Sequence, residues 1–399
     1  MIHTHVSGGH SITVETESDL TVTDDSGLII HGPATVSYVQ KNRPGSSTDD
    51  VVMGTHTLQP GDAGISFRQM NAGEARPGFW NGVEGRSVNA DAIACVSVPW
   101  PKQSEEVMRP PVIGSASNPI VAFFRSLPIL KSNVDISKLP SEIDLPPEYD
   151  VEKTIKRFEK FSGDVFSYWS TDTRTPDLQH QGYGSYYASD VSDALVALCS
   201  KIGFDQKMRL AVAMVQRGLD LAAAFIDGRE NWMVDGGHMF GRTPLVILCG
   251  YLLNSQNIMN PAAFVGTNLL ERHACYQGQP ATFWGGNYGW KKHWVDANWM
   301  FKDPSRWTDY EKWATKGYLP HVMGAAVGTV LAFKMMGLEH NLGDAFCGMV
   351  TNWMDGIEEH HNQNLIQNGV NLPWGEDYTV FGIRGMCSNS WNAYFQKTA

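Results

Sequence analysis

The sequence has no apolar run of the roughly 18 residues that a membrane span requires. Its longest, Pro244 to Leu253 and Val322 to Phe333, are the length of core helices. It also has no basic excess. The formal net charge is −11, which argues against a nucleic-acid partner, since phosphate recognition needs a positive face. Its six cysteines, Cys95, Cys199, Cys249, Cys275, Cys347 and Cys387, show no CxxC and no regular spacing. They read as buried thiols and exclude a zinc ribbon or a disulfide framework. The first residues, Met1-Ile-His-Thr-His-Val-Ser-Gly-Gly-His10, are polar from the start and do not form a signal peptide. The expectation is a cytoplasmic or phage-associated protein, or one exported by a route not visible in the chain.

What is present is ordinary globular composition, with 42% hydrophobic and 18% charged residues over 399 positions, enough for a large core and more than one domain. Lys+Arg stand at 10 against 18 Asp+Glu in residues 1–150, and at 21 against 24 in residues 151–399. The acidity belongs to the N-terminal part, and the remainder is free to hold a locally positive cleft.

Residues 1–105 alternate as strands do, for example in Ser11-Ile-Thr-Val-Glu-Thr16, and are cut by turn clusters such as Gln59-Pro-Gly-Asp62. The pattern predicts a smaller β-rich N-terminal domain. Residues 106–150 carry Arg109-Pro-Pro, Leu127-Pro, Leu139-Pro and Leu145-Pro-Pro147 and predict an extended Pro-rich linker lying on a surface. From Val151 the period becomes helical, with helices expected over 151–162, 189–202, 206–226, 242–254, 261–273, 307–315, 320–336 and 342–358. Helices paired through long loops, with no strands between them, predict a mainly α chain whose residues 151–399 form an α/α toroid, a complete or incomplete barrel of helical hairpins.

The densest stretch for chemistry is Trp232-Met-Val-Asp-Gly-Gly-His-Met-Phe-Gly-Arg242, directly before an apolar helix in whose first turn Pro244 fits. Gly236 and Gly237 permit a sharp bend, and a helical turn from His238 would put His238 and Arg242 on one face. An imidazole beside a guanidinium suits an anionic or hydroxyl-rich ligand. The plainer alternative is that Asp235 caps the helix or pairs with Arg242. Two further clusters stand where loops enter helices: His180-Gln-Gly-Tyr-Gly-Ser-Tyr-Tyr187, and Lys316-Gly-Tyr-Leu-Pro-His321. In the second, Tyr318 is a phenol three residues from His321, with a packed aromatic and a helix cap as the plainer readings.

Eleven of thirteen tryptophans follow residue 150, several of them in Phe283-Trp-Gly-Gly-Asn-Tyr-Gly-Trp-Lys-Lys-His-Trp294. Flat rings with polar edges suit sugars, and Asn287, Trp290 and Lys292 join His180, Gln181, Tyr183 and His321 as candidate substrate-binding residues. Filling the space between helices is the alternative for these rings. Metal binding is not expected: His3, His5 and His10, and the pair His360-His361, sit in polar segments without a ligand pattern. No cofactor is expected either.

Together, Asp235 to Arg242, Gln216-Arg-Gly-Leu-Asp-Leu221, Tyr183-Gly184, and Gly317-Tyr318 before a Gly/Ala-rich helix ending Lys334-Met-Met-Gly337 resemble the α/α-barrel polysaccharide lyases that act on uronate polymers such as alginate or glucuronan, polysaccharide lyase family 38 among them. The resemblance covers roughly residues 110–360; Leu319-Pro320-His321 departs from it. It implies metal-independent β-elimination. That chemistry needs the uronate carboxylate neutralised, a base for the adjacent proton and an acid for the leaving oxygen. His238 would be the base, oriented by Asp235. Tyr318 would be the acid, or both acid and base, and Arg242, Gln181 or Asn287 would neutralise the carboxylate.

Two rivals remain open from the sequence. A glycoside hydrolase on the same helical fold would need paired carboxylates, for which Asp235, Asp296, Glu376 and Asp377 are available. A carbohydrate-binding or virion-surface protein would bind without turnover.

Overall fold

The computed structural model describes residues 2–7, 10–18, 20–23, 27–30, 34–37, 39–40, 55–69, 90–98, 107–111, 129–160, 184–226, 239–259 and 319–352. This part is mostly helical, the mainly α character expected from the sequence.

Its strands all lie between residues 2 and 98. They are β1 Ile2–Ser7, β2 His10–Thr16, β3 Leu20–Thr23, β4 Gly27–Ile30, β5 Ala34–Ser37, β6 Val39–Gln40, β7 Thr55–Leu58, β8 Asp62–Gln69 and β9 Ala90–Val98. One sheet has the order β1-β2-β5-β7 and a second has β3-β4-β9-β8-β6. All the pairings are antiparallel except that of β4 with β9. Along β2, Val14 and Thr16 are buried while Thr13 and Glu15 are exposed, the period-2 alternation of a sheet with one covered face. Between β7 and β8 the chain turns at Pro60-Gly61, with the Asp62 carboxylate accepting the Gln59 N–H at 3.0 Å.

The described parts of the expected linker, 107–111 and 129–150, are largely solvent-facing in the second stretch, yet both are also anchored in the core. Residues 129–150 hold two single turns of 3-10 helix, Lys131–Asn133 and Ile136–Lys138. They bury Val134, Leu139 and Ile143 in the same core as the helices, and Met108 joins them from upstream. Prolines deny this stretch regular helix, but its aliphatic side chains still gain by leaving water.

The helices are α1 Val151–Glu159, α2 Gly184–Leu198, α3 Phe204–Ile226, α4 Arg242–Leu252, α5 Gln256–Met259, α6 Leu319–Met335, α7 Glu339–Leu342 and α8 Asp344–Asn352. Thus α2 begins five residues before its expected start, and the helices expected over 261–273 and 307–315 lie outside the described residues. Asp150 caps α1 by accepting the Lys153 N–H at 2.9 Å. Helix α4 is buried at every residue but Tyr251, as befits a helix apolar all round.

Directions follow from the contacts. Ser192 of α2 accepts the Thr329 N–H of α6 at 2.8 Å, and further along both helices the Cys199 thiol reaches the Ala332 carbonyl. Hence α2 and α6 run the same way. Helices α2 and α4 start side by side, since Gly241 abuts Tyr187 and Ala188. They also end together on the linker: Ile143 N–H donates to the Cys199 carbonyl at 3.3 Å, and Asp135 N–H to the Leu252 carbonyl at 2.9 Å. Helix α3 starts at that same far end, where Lys207 donates to the Pro140 carbonyl at 2.9 Å, so it runs opposite to the other three.

Candidate functional site

The start of α4 is built by a turn at Met239 and Phe240, with Gly241 in the N-cap position and no side chain bonded there. Asp235 itself lies outside the described residues. The Thr243 N–H finds the Met239 carbonyl at 3.0 Å. Pro244 stands in the first turn as expected. Gly241 is needed for packing, because a β-carbon there would come within 2.8 Å of Tyr187 Cδ1.

Arg242 is fully buried. Its guanidinium carbon lies 5.7 Å from the centroid of the Tyr187 ring, within cation–π range. Tyr187, the last residue of the His180 to Tyr187 cluster, is also buried. Its phenol stands beside Arg217 of α3 and favours the charged guanidinium there. Arg217 in turn donates to the Arg157 and Lys160 carbonyls and lies 4.4 Å over the Phe158 ring. Burial lowers its pKa, a trend opposed by Tyr187 and Asp190.

Beside this chain of contacts stand two carboxylates on one face of α2. Asp190 is ion-paired with Arg157 of α1. Burial still pushes its pKa up to about 6, against the pull of Arg157 and Arg217. Asp193 is pushed up to about 8, first by burial and then by the charge of Asp190, with Arg157 opposing. Its Oδ1 is buried without a hydrogen-bond partner. Tyr149 faces the same pair, but its hydroxyl is engaged with Thr154 Oγ1 at 2.9 Å. Burial raises the Tyr149 pKa.

Sequence reasoning named Arg242 but missed Asp190, Asp193, Arg157 and Arg217. The signal for the first two was present: carboxylates three residues apart in Tyr187-Ala-Ser-Asp-Val-Ser-Asp-Ala-Leu-Val196 share one helix face in an otherwise apolar segment. Among the other expected site residues, Asp235, His238, Tyr318, His180, Gln181, Tyr183, Asn287, Trp290 and Lys292 lie outside the described residues. So do Asp296, Glu376 and Asp377. His321 is the third residue of α6 and so does not cap it; its side chain lies outside the described part.

Among the described residues, no group of three or more His, Cys, Asp or Glu is arranged to hold a metal ion, and no helix is long and apolar enough to cross a membrane. Compared with protein-family models, with curated proteins and with solved structures, the chain matches none.

Proposed function

We propose that this chain is a polysaccharide lyase that cleaves a uronate-containing polymer by metal-independent β-elimination, on an α/α toroid preceded by a smaller β-rich domain. The observation that carries this reading is the common direction of α2, α4 and α6, with α3 returning between them. That is the alternation a toroid of helical hairpins repeats. It brings together the starts of the three helices that follow His180 to Tyr183, Asp235 to His238, and Tyr318. Loops gathered at one end of a rigid scaffold are where catalytic groups are normally carried.

In this reading His238 removes the proton next to the uronate carboxylate, Asp235 orients His238, and Tyr318 protonates the leaving oxygen. The full burial of Arg242 favours the amides Gln181 and Asn287 for neutralising the carboxylate, with Arg242 holding the start of α4 from beneath. Trp290, Lys292, His180, Tyr183 and His321 would bind the sugar chain.

The test mixes purified protein with alginate, glucuronan, pectate and glycosaminoglycans and follows both ultraviolet absorbance and new reducing ends. Elimination creates a conjugated unsaturated uronate, so absorbance should rise. The Tyr318→Phe variant should lose turnover while keeping its melting temperature. Reducing ends without absorbance would replace the lyase by a hydrolase, and a fully active Tyr318→Phe would remove Tyr318 from the mechanism.

A further inference from the structure

We propose that Asp193 is a proton-operated latch on helix α1: in its neutral form it lets α1 lie against α2 and α3, and on ionising it loosens that seam. The argument starts from the hydrogen bonds. Asp193 has a buried oxygen with no partner, whereas a buried carboxylate normally collects several donors. The charges in the seam explain the difference. Arg157, the cation α1 brings, is already paired with Asp190, and Arg217 from α3 is turned to the Arg157 and Lys160 carbonyls. From the segment before α1 the facing group is Tyr149, whose hydroxyl is held by Thr154. The described contacts of α6 with α2 at Gly328, Thr329 and Ala332 bring no carboxylate or cation to Asp193. Among the described residues, Asp193 thus has one anion beside it and no cation of its own. A neutral carboxyl fits that setting; a second carboxylate would repel Asp190 across a poorly solvated seam.

The raised pKa of Asp193, about 8, sets the pH window and its sign. An unfolded aspartate ionises near pH 4. Between roughly pH 4 and 8 the folded chain therefore holds one proton more than the unfolded chain, so stability falls as pH rises through that window. Below it both states are protonated, and above it both are ionised, so this contribution is flat on either side.

Asp193→Asn keeps the shape of the neutral acid and cannot ionise. Urea unfolding of both proteins from pH 5 to 9 should give a wild-type folding constant that falls, relative to Asp193→Asn, about tenfold per pH unit up to about pH 8. Trypsin cleavage within α1, at Lys153 and Lys156, should accelerate above that pH in the wild type but not in the variant. A ratio of folding constants that does not change with pH, or equal cleavage of both proteins at every pH, would overturn the latch. Should Asp193→Asn not fold, aspartate-labelled wild type decides: a carboxyl carbon resonance titrating near pH 8 supports the latch, and titration of every aspartate in the ordinary range refutes it. None of these readouts depends on the lyase reading.

Discussion

At the scale of single residues, the described core is governed by close approach and by the few polar groups buried within it. Gly218 of α3 faces α4 so closely that an added β-carbon would stand 2.4 Å from the Leu245 carbonyl oxygen and 2.5 Å from Cys249 Cβ. The first neighbour is backbone and cannot swing away. Gly218→Ala should therefore destabilise the fold by about 1–3 kcal/mol, read as a lower urea midpoint at unchanged slope; an unchanged midpoint would mean that α3 and α4 are not packed this closely. Arg242 illustrates the limit of reading single residues. Its position before an apolar helix was legible in the sequence, but its enclosure over Tyr187 depends on α2, more than fifty residues upstream.

At the scale of elements, periodicity and end signals located most of the described helices. Helix α3 starts two residues before its expected position and α4 starts at the expected Arg242. The early start of α2 was missed because Gly184-Ser-Tyr-Tyr187 reads as a glycine- and aromatic-rich loop, while the burial of Tyr187 beside Gly241 favours helix there. Helix α1 is short and relies on its ends: Asp150 caps it, and Arg209 of α3 bonds both Glu152 and Glu159 along its length. Those pairs are half exposed and contribute little. The cap matters more, and Asp150→Ala should cost about 1 kcal/mol of stability, measured by chemical denaturation. A loss no larger than that of a surface alanine substitution elsewhere would show that α1 is held by Ile155 and Phe158 alone.

At the scale of the whole molecule, the linker, α2, α3, α4 and α6 share one core, and its buried thiols report on it. Cys199 and Cys249 are fully enclosed, and burial pushes both pKa values upward, that of Cys199 to about 12. A thiol reacts as its thiolate, so both cysteines should resist alkylation in the native protein. In rising urea they should become labelled together with global unfolding, as mapped on peptides. Labelling of either one well before the unfolding transition would indicate that this core opens in parts.

The sequence by itself located most of the described helices, because residue periodicity and turn or cap residues are local properties of the chain. It also marked the stretches that enter α2, α4 and α6. Tertiary structure alone decided that Met108, Val134, Leu139 and Ile143 of the proline-rich stretch enter the core, that three helices run together with α3 opposed, and that Asp190, Asp193, Arg157 and Arg217 meet in one seam. Those outcomes rest on contacts between residues far apart in the chain. Whether Asp193 holds a proton depends on how much water and how many cations its neighbours leave it, and no local pattern records that.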